Sequence, residues 1–392
     1  MTPPSVSTDL DRTDLEHLVS GQEMVVCCGP GGVGKTTVAA SLALERARRG
    51  GRACVVTVDP ARRLANALGL SHVGDAPSRI EGDWPGELWA LMLDTKSTFD
   101  ALVGRYALTP EQADAILDNR LYRNISGVLS GTHEYMAMEK LFELHDQGAL
   151  LPTGETQRFD LVVVDTPPTR NALDFVDAPR RLTHFLDNRI FRLLMAPTRA
   201  YLRAMSVATQ AFLRTVSKVV GTEAVSDVVA FFQAFEGMEE GFRQRAQEVH
   251  ELLSSDASAF VLVAPPARDA VREAAFFADK LAEAGIPVSA LVVNRLHPRF
   301  KGPAGADRRA DQAGFEASGP EIAALAPFYA NLAEFQQIAG REESHFATLA
   351  ARVAPAPVAR VPYLPTDVHD LDGLGRVADE LFAQRRAHAP PT

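Results

Sequence analysis

The sequence predicts an α/β protein built on a mainly parallel sheet, with helical insertions that form a subdomain. Three observations carry that prediction. The runs 24–28 (Met-Val-Val-Cys-Cys) and 53–58 (Ala-Cys-Val-Val-Thr-Val) are continuous apolar segments of strand length, the pattern of strands buried on both faces. Between them, 35–49 reads as a helix that stops at Gly50 and Gly51. Strand, helix and strand within a few dozen residues form a crossover unit, which implies parallel neighbours. The strand signal then returns at 159–164, 259–264 and 288–293, each rich in Val, Leu and Ile. A last apolar segment, 358–364, is punctuated by Pro362 and Pro365.

The remaining segments follow from periodicity and punctuation. Residues 9–20 read as a leading helix that ends near Gly21. Residues 97–147 and 180–253 read as helical insertions. In the second, Tyr201, Leu202, Met205, Ala208, Phe212, Leu213, Val216 and Val220 recur at three- and four-residue spacing. After Gly221 and Thr222 the same spacing continues through Val228, Phe231, Phe232, Phe235, Met238, Phe242, Val249 and Leu252. This stripe has two readings: the subdomain's own core, or a groove for an apolar partner helix. Residues 298–320, rich in Pro, Gly and charge, read as a surface loop. The expected organisation is a helix at 1–20, one large domain over 21–381 and a flexible tail at 382–392.

Composition narrows the class. A length of 392 residues suits one large domain with insertions, or two domains. The net charge of −10 argues against a general nucleic-acid binder, which would present a basic face. Cys27, Cys28 and Cys54 form no C-x-x-C pair, so neither a disulfide scaffold nor a zinc site is expected. The polar start, Met1-Thr-Pro-Pro-Ser5, carries no signal-peptide pattern, and no apolar run approaches the ~20 residues of a membrane span. These features predict a cytoplasmic protein, able to dock at a membrane surface.

The chemistry is concentrated in one loop. Gly29-Pro30-Gly31-Gly32-Val33-Gly34-Lys35-Thr36 fits G-x-x-x-x-G-K-[ST], the phosphate loop of the P-loop NTPases. Glycines at these positions let the backbone curl so that several N–H groups point at one phosphate, and the following helix adds its positive N-terminus. Lys35 supplies charge to the β- and γ-phosphates of ATP. The Thr36 hydroxyl suits Mg²⁺, an oxygen-seeking cation. Asp165 follows the run 159–164, at the carboxyl end of a parallel strand, where a carboxylate that organises Mg²⁺ belongs. Asp59 ends the run 53–58. It is either the residue that orients the attacking water or an N-cap for the next segment.

Taken together these residues resemble the ArsA family of ATPases. That family includes the arsenite-pump ATPase and the ATPase that targets tail-anchored membrane proteins. The similarity covers roughly 22–381 and is strongest to the actinobacterial anion-transporting-ATPase-like branch. Residues 29–37, ending at Thr37, resemble the family's variant phosphate loop, G-K-G-G-V-G-K-T-T. Thr57-Val-Asp-Pro-Ala61 resembles its first switch and Asp165-Thr-Pro-Pro-Thr169 its second. Ser130-Gly-Thr-His-Glu134 is similar to the segment P-G-x-D-E. Val361-Pro-Tyr-Leu-Pro365 resembles the adenine-side loop, which implies base contacts from Pro362 and Leu364. By the same resemblance Asn294 reads the base, Asp59 positions water and Asp165 holds Mg²⁺ through water. The family works as a dimer that encloses two nucleotides.

Several positions depart from that pattern. The family lysine that reaches the neighbouring subunit's phosphates is replaced by Pro30, which has neither charge nor N–H. Ala267 stands where the family has a glutamate, and Ser130 and His133 replace Pro and Asp. Two repairs are open. A lysine-bearing paralogue could complete a heterodimer, or Arg62 or Arg63 could supply the charge in a homodimer. The expectation is an ATP-hydrolysing dimeric switch acting on a membrane protein or apolar helix client. The alternative is a subunit that binds ATP and hydrolyses little. A third reading, a chromosome- or septum-positioning ATPase, is disfavoured by the acidic balance.

Overall fold

In the computed structural model the described residues are 10–58, 63–70, 73–120, 122, 132–151, 153–166, 236–300 and 326–382, with scattered positions between 178 and 234. Asp59, Arg62, Ser130 and most of 180–235 lie outside them. So do the side chains of Arg63 and His133, the greater part of the loop 298–320, and nearly all of the tail 382–392.

The chain opens with α1 (Leu10–Gly21), β1 (Met24–Cys28), α2 (Lys35–Arg48), β2 (Arg52–Thr57), α3 (Arg63–Ala67), β3 (Ser78–Ile80) and β4 (Glu87–Met92). Next come α4 (Thr95–Tyr106), α5 (Pro110–Leu117), α6 (Thr132–Asp146), β5 (Ala149–Leu150), β6 (Thr156–Gln157) and β7 (Leu161–Asp165). The last part contains α7 (Glu239–Ser254), β8 (Ser258–Ala264), α8 (Arg268–Glu283), β9 (Val288–Leu296), α9 (Ala326–Val353), β10 (Val358–Pro362) and α10 (Leu371–Phe382).

Among the described residues eight strands form one sheet in the order β10-β9-β8-β1-β7-β2-β4-β3. All neighbours are parallel except β3, which runs antiparallel to β4. The parallel core is buried on both faces. Alternate residues of one strand enter two separate apolar layers: Met24, Val26 and Cys28 in one, Val25 and Cys27 in the other. Helices α1, α2, α3 and α10 cover the second layer, while α4, α6, α7, α8 and α9 cover the first.

This architecture bears out the predicted α/β class with its mainly parallel sheet, and it shows helices within the described parts of both insertions. The stripe read as continuous through 228–252 is interrupted by a turn at 236–238. Gly237 adopts φ 85°, and α7 starts after it. The spacing survives the interruption because Phe231, Met238, Phe242 and Val249 all pack into one core layer. For these residues the internal-core reading holds. Among the described residues of 97–147 lie α4, α5 and α6, with Thr109 accepting from Gln112 N and Pro110 opening α5.

A polar cluster lies between three of these helices. Arg245 on α7 approaches Glu139 on α6 (Nε to Oε1, 3.2 Å) and donates from Nε to the Tyr106 hydroxyl on α4 (3.2 Å). Its guanidinium also stacks 4.2 Å from the centre of the Phe142 ring. Glu139 is 1% exposed, and neither of its oxygens receives a hydrogen bond of good geometry. Burial pushes its carboxyl up to about 7, against the opposing pull of Arg245 and Arg105.

Candidate functional site

The parallel order of β8, β1, β7 and β2 brings their carboxyl ends to one edge, and the loop 29–34 leaves β1 at the centre of that edge. This is where open parallel sheets bind ligands. Gly29, Gly32 and Gly34 adopt φ of 141°, 73° and 96°. A Cβ on Gly29 would stand 2.1 Å from the Val263 carbonyl oxygen, and one on Gly34 would stand 2.3 Å from Asn294 Nδ2. Gly32 faces open space. The first and last glycines therefore let the loop lie against β8 and β9, while Gly31 and Gly32 form its exposed crest.

Behind the crest, Lys35 begins α2 and is 5% exposed. Its ammonium donates to the carbonyls of Gly29 (3.0 Å) and Pro30 (2.8 Å), so the charge is held across the loop. Val33 is buried beneath the loop. Thr36 and Thr37, half-buried, follow on the first turn of α2. The Thr36 hydroxyl donates to Asp165 Oδ2 at 2.6 Å. Asp165 ends β7, is 1% exposed and also accepts from the Thr57 hydroxyl at 3.0 Å. Thr57 and Asp165 are register partners across β2 and β7. A hydroxyl and a carboxylate in contact form an all-oxygen donor pair beside the phosphate loop, which fits Mg²⁺ bound together with ATP phosphates.

The far side of the loop meets β9 and β10. Asn294 is 9% exposed and donates from Nδ2 to the Val33 carbonyl at 2.8 Å. Pro362 ends β10 beside Leu296, and half-buried Leu364 follows it. Between them Tyr363 is 52% exposed, its ring edge-on to His297 with centroids 5.1 Å apart. Asn294 therefore packs directly against the loop, while Pro362 ends the next strand of the sheet. Ala267 precedes α8 as an N-cap without a side-chain bond.

Burial raises the thiols of Cys27, Cys28 and Cys54 well above their usual range, with Asp165 adding to the shift at Cys27. All three sit in strands as small apolar residues. Among the described residues no three His, Cys, Asp or Glu side chains gather as a metal cluster, and no helix is long and apolar enough to cross a membrane.

Sequence reading gave Thr57 no role of its own and passed over Arg295. The available signal for Thr57 was its place at the end of the strand beside β7. Arg295 follows Asn294, at a strand end that already carried a binding assignment.

A glycine loop between β1 and α2, a lysine across it and a Thr–Asp pair beneath it define a nucleoside-triphosphate-binding protein of the P-loop class. Comparison with known proteins gives the family. Residues 22–313 match the family model described as anion-transporting ATPase. The chain is 29% identical over 310 residues to the ATPase GET3B of Arabidopsis thaliana, covering 73% of this chain and 67% of that protein. It is 31% identical over 271 residues to an uncharacterized protein of Streptomyces coelicolor, covering 69% and 61%. Similarity to the ATPase ARSA1 of Chlamydomonas reinhardtii, 28% over 284 residues, covers 68% of this chain and 34% of that one. The chain belongs to the ArsA family of anion-transporting ATPases, and it is an ATPase of that family.

Proposed function

We propose that the chain is an ATP-driven dimeric switch that couples hydrolysis to a membrane-associated transport or targeting partner. The observation that carries this reading is the bond chain Thr36–Asp165–Thr57. It ties the first turn after the phosphate loop to the ends of β7 and β2. The segments that follow these strand ends resemble the two switches. A change at the γ-phosphate would therefore be felt at both.

In this mechanism water attacks the γ-phosphorus in line as the bond to the β-phosphate oxygen breaks, giving ADP and phosphate. Asp59 orients the water and accepts its proton. Lys35 and the loop N–H groups carry the charge that develops on the phosphate oxygens. Bound Mg²⁺, held by Thr36 and through water by Asp165, would neutralise β- and γ-phosphate oxygens. Asn294, Pro362 and Leu364 hold the base.

The second reading is an ATP-binding subunit with little turnover of its own, completed by a lysine-bearing paralogue. Pro30 favours it, because the position next to Gly29 carries no charge. Sedimentation of the purified chain with Mg²⁺ and ATP, and separately with ADP, tests the switch. A dimer that forms or compacts only with ATP supports it. A chain whose mass and shape are unchanged by any nucleotide refutes it. Recovery of turnover in Pro30→Lys would favour the second reading.

A further inference from the structure

Arg295 occupies a constrained position beside the phosphate loop. In the pairing of β10 with β9, Val361 faces Asn294 and Pro362 faces Leu296, so Arg295 is the extra residue of a bulge. It has φ 62°, the one positive φ outside glycine among the described residues. A long side chain rarely adopts that backbone conformation, and such positions concentrate at functional sites. Asn294 fixes the turn from both ends. Its Oδ1 accepts from the Arg295 N–H (3.0 Å), while its Nδ2 donates to the Val33 carbonyl (2.8 Å).

The bulge redirects the side chain. Val293 enters the first apolar layer, and strict alternation would send residue 295 there too. Instead Leu296 enters that layer, and Arg295 turns out to the surface. Bulges commonly re-aim a side chain beside an active site. Here the guanidinium reaches the crest of the loop, where Nη1 donates to the Gly32 carbonyl at 3.2 Å. Among the described residues no carboxylate pairs with it. A neutral carbonyl is a weaker partner for this cation than a phosphate, which can accept two parallel N–H bonds.

We propose that Arg295 contacts the β- or γ-phosphate of the ATP held on its own loop, supplying a positive charge that Pro30 leaves missing. On binding, the guanidinium exchanges the Gly32 carbonyl for phosphate oxygens. The inference rests on the reading of the loop as the ATP site. It places the second loop cation on the same chain.

Affinities of the full-length protein for Mg²⁺-ATP and for AMP, measured by calorimetry, test it. The variants are Arg295→Asn and Arg295→Gly, both of which accept φ 62°, together with Arg295→Lys. The neutral variants are expected to melt no lower than the wild type and to lose about tenfold in ATP affinity. Their AMP affinity should change less than about twofold, and Arg295→Lys should keep part of the ATP affinity. Equal losses for ATP and AMP, or ATP affinity unchanged in both neutral variants, would overturn the proposal. Lys35→Ala separates the underlying assumption, since ATP affinity unaffected by that change would refute the loop reading itself.

Discussion

Thr36 and Asp165, 129 positions apart in the chain, meet through a 2.6 Å bond from the Thr36 hydroxyl to Asp165 Oδ2. The same oxygen accepts from Thr57 at 3.0 Å. One buried carboxylate therefore positions two hydroxyls from two different elements. Thr57→Val keeps the shape and removes one of these bonds. It is expected to cost about 1 kcal/mol in denaturant unfolding and to lower turnover severalfold. Asp165→Asn is expected to lower kcat by about two orders of magnitude, with a higher Mg²⁺ requirement. A magnesium titration of both variants beside the wild type distinguishes them.

The glycines of the loop are unequal. Gly29→Ala places a Cβ against the backbone oxygen of Val263 in a central strand, so β1 and β8 must separate. A loss of about 3 kcal/mol is expected, measured by chemical denaturation. Gly32→Ala meets no atom and bears only the cost of its left-handed backbone, φ 73°, about 1 kcal/mol. Equal losses at the two positions would contradict the packing described for the loop.

Glu139 predicts a pH dependence with a definite sign. Its carboxyl is raised from the ordinary carboxylate range to about 7 in the fold. Between those values the folded chain holds a proton that the unfolded chain has released. Stability contributed by this site is therefore present at the acid side of about pH 4.5 and is lost as pH rises toward 7, beyond which it levels off. Glu139→Gln removes the titration. The melting-temperature difference between variant and wild type should shift in the variant's favour from pH 5 to pH 8, by a few degrees. A difference independent of pH would place the cluster's energetics elsewhere, in packing around Arg245.

The central sheet was legible because β1, β2, β7, β8 and β9 are apolar runs that need no partner to be recognised. The edge was less so. Strand β4 contains the apolar run Leu88-Trp-Ala-Leu-Met92, but a stretch rich in charge, Gly and Trp precedes it and no strand was read there. Helix α9 was missed because its apolar residues do not mark one face: Phe346 and Leu349 are buried while Phe328 is 71% exposed. Within the site, the loop and Asp165 follow from a motif whose spacing is physical. Arg295 does not, because its direction depends on a bulge formed with β10, which is more than 60 residues away in the chain.

The most direct test of the account is steady-state ATP turnover of the purified full-length chain with Mg²⁺, beside Lys35→Ala and Asp59→Asn. Turnover is expected in the wild type, lost by at least about a hundredfold in both variants. ATP binding loss is expected only for Lys35→Ala. Turnover that survives both substitutions would contradict the assignment of the loop and first-switch acid as the machinery of hydrolysis.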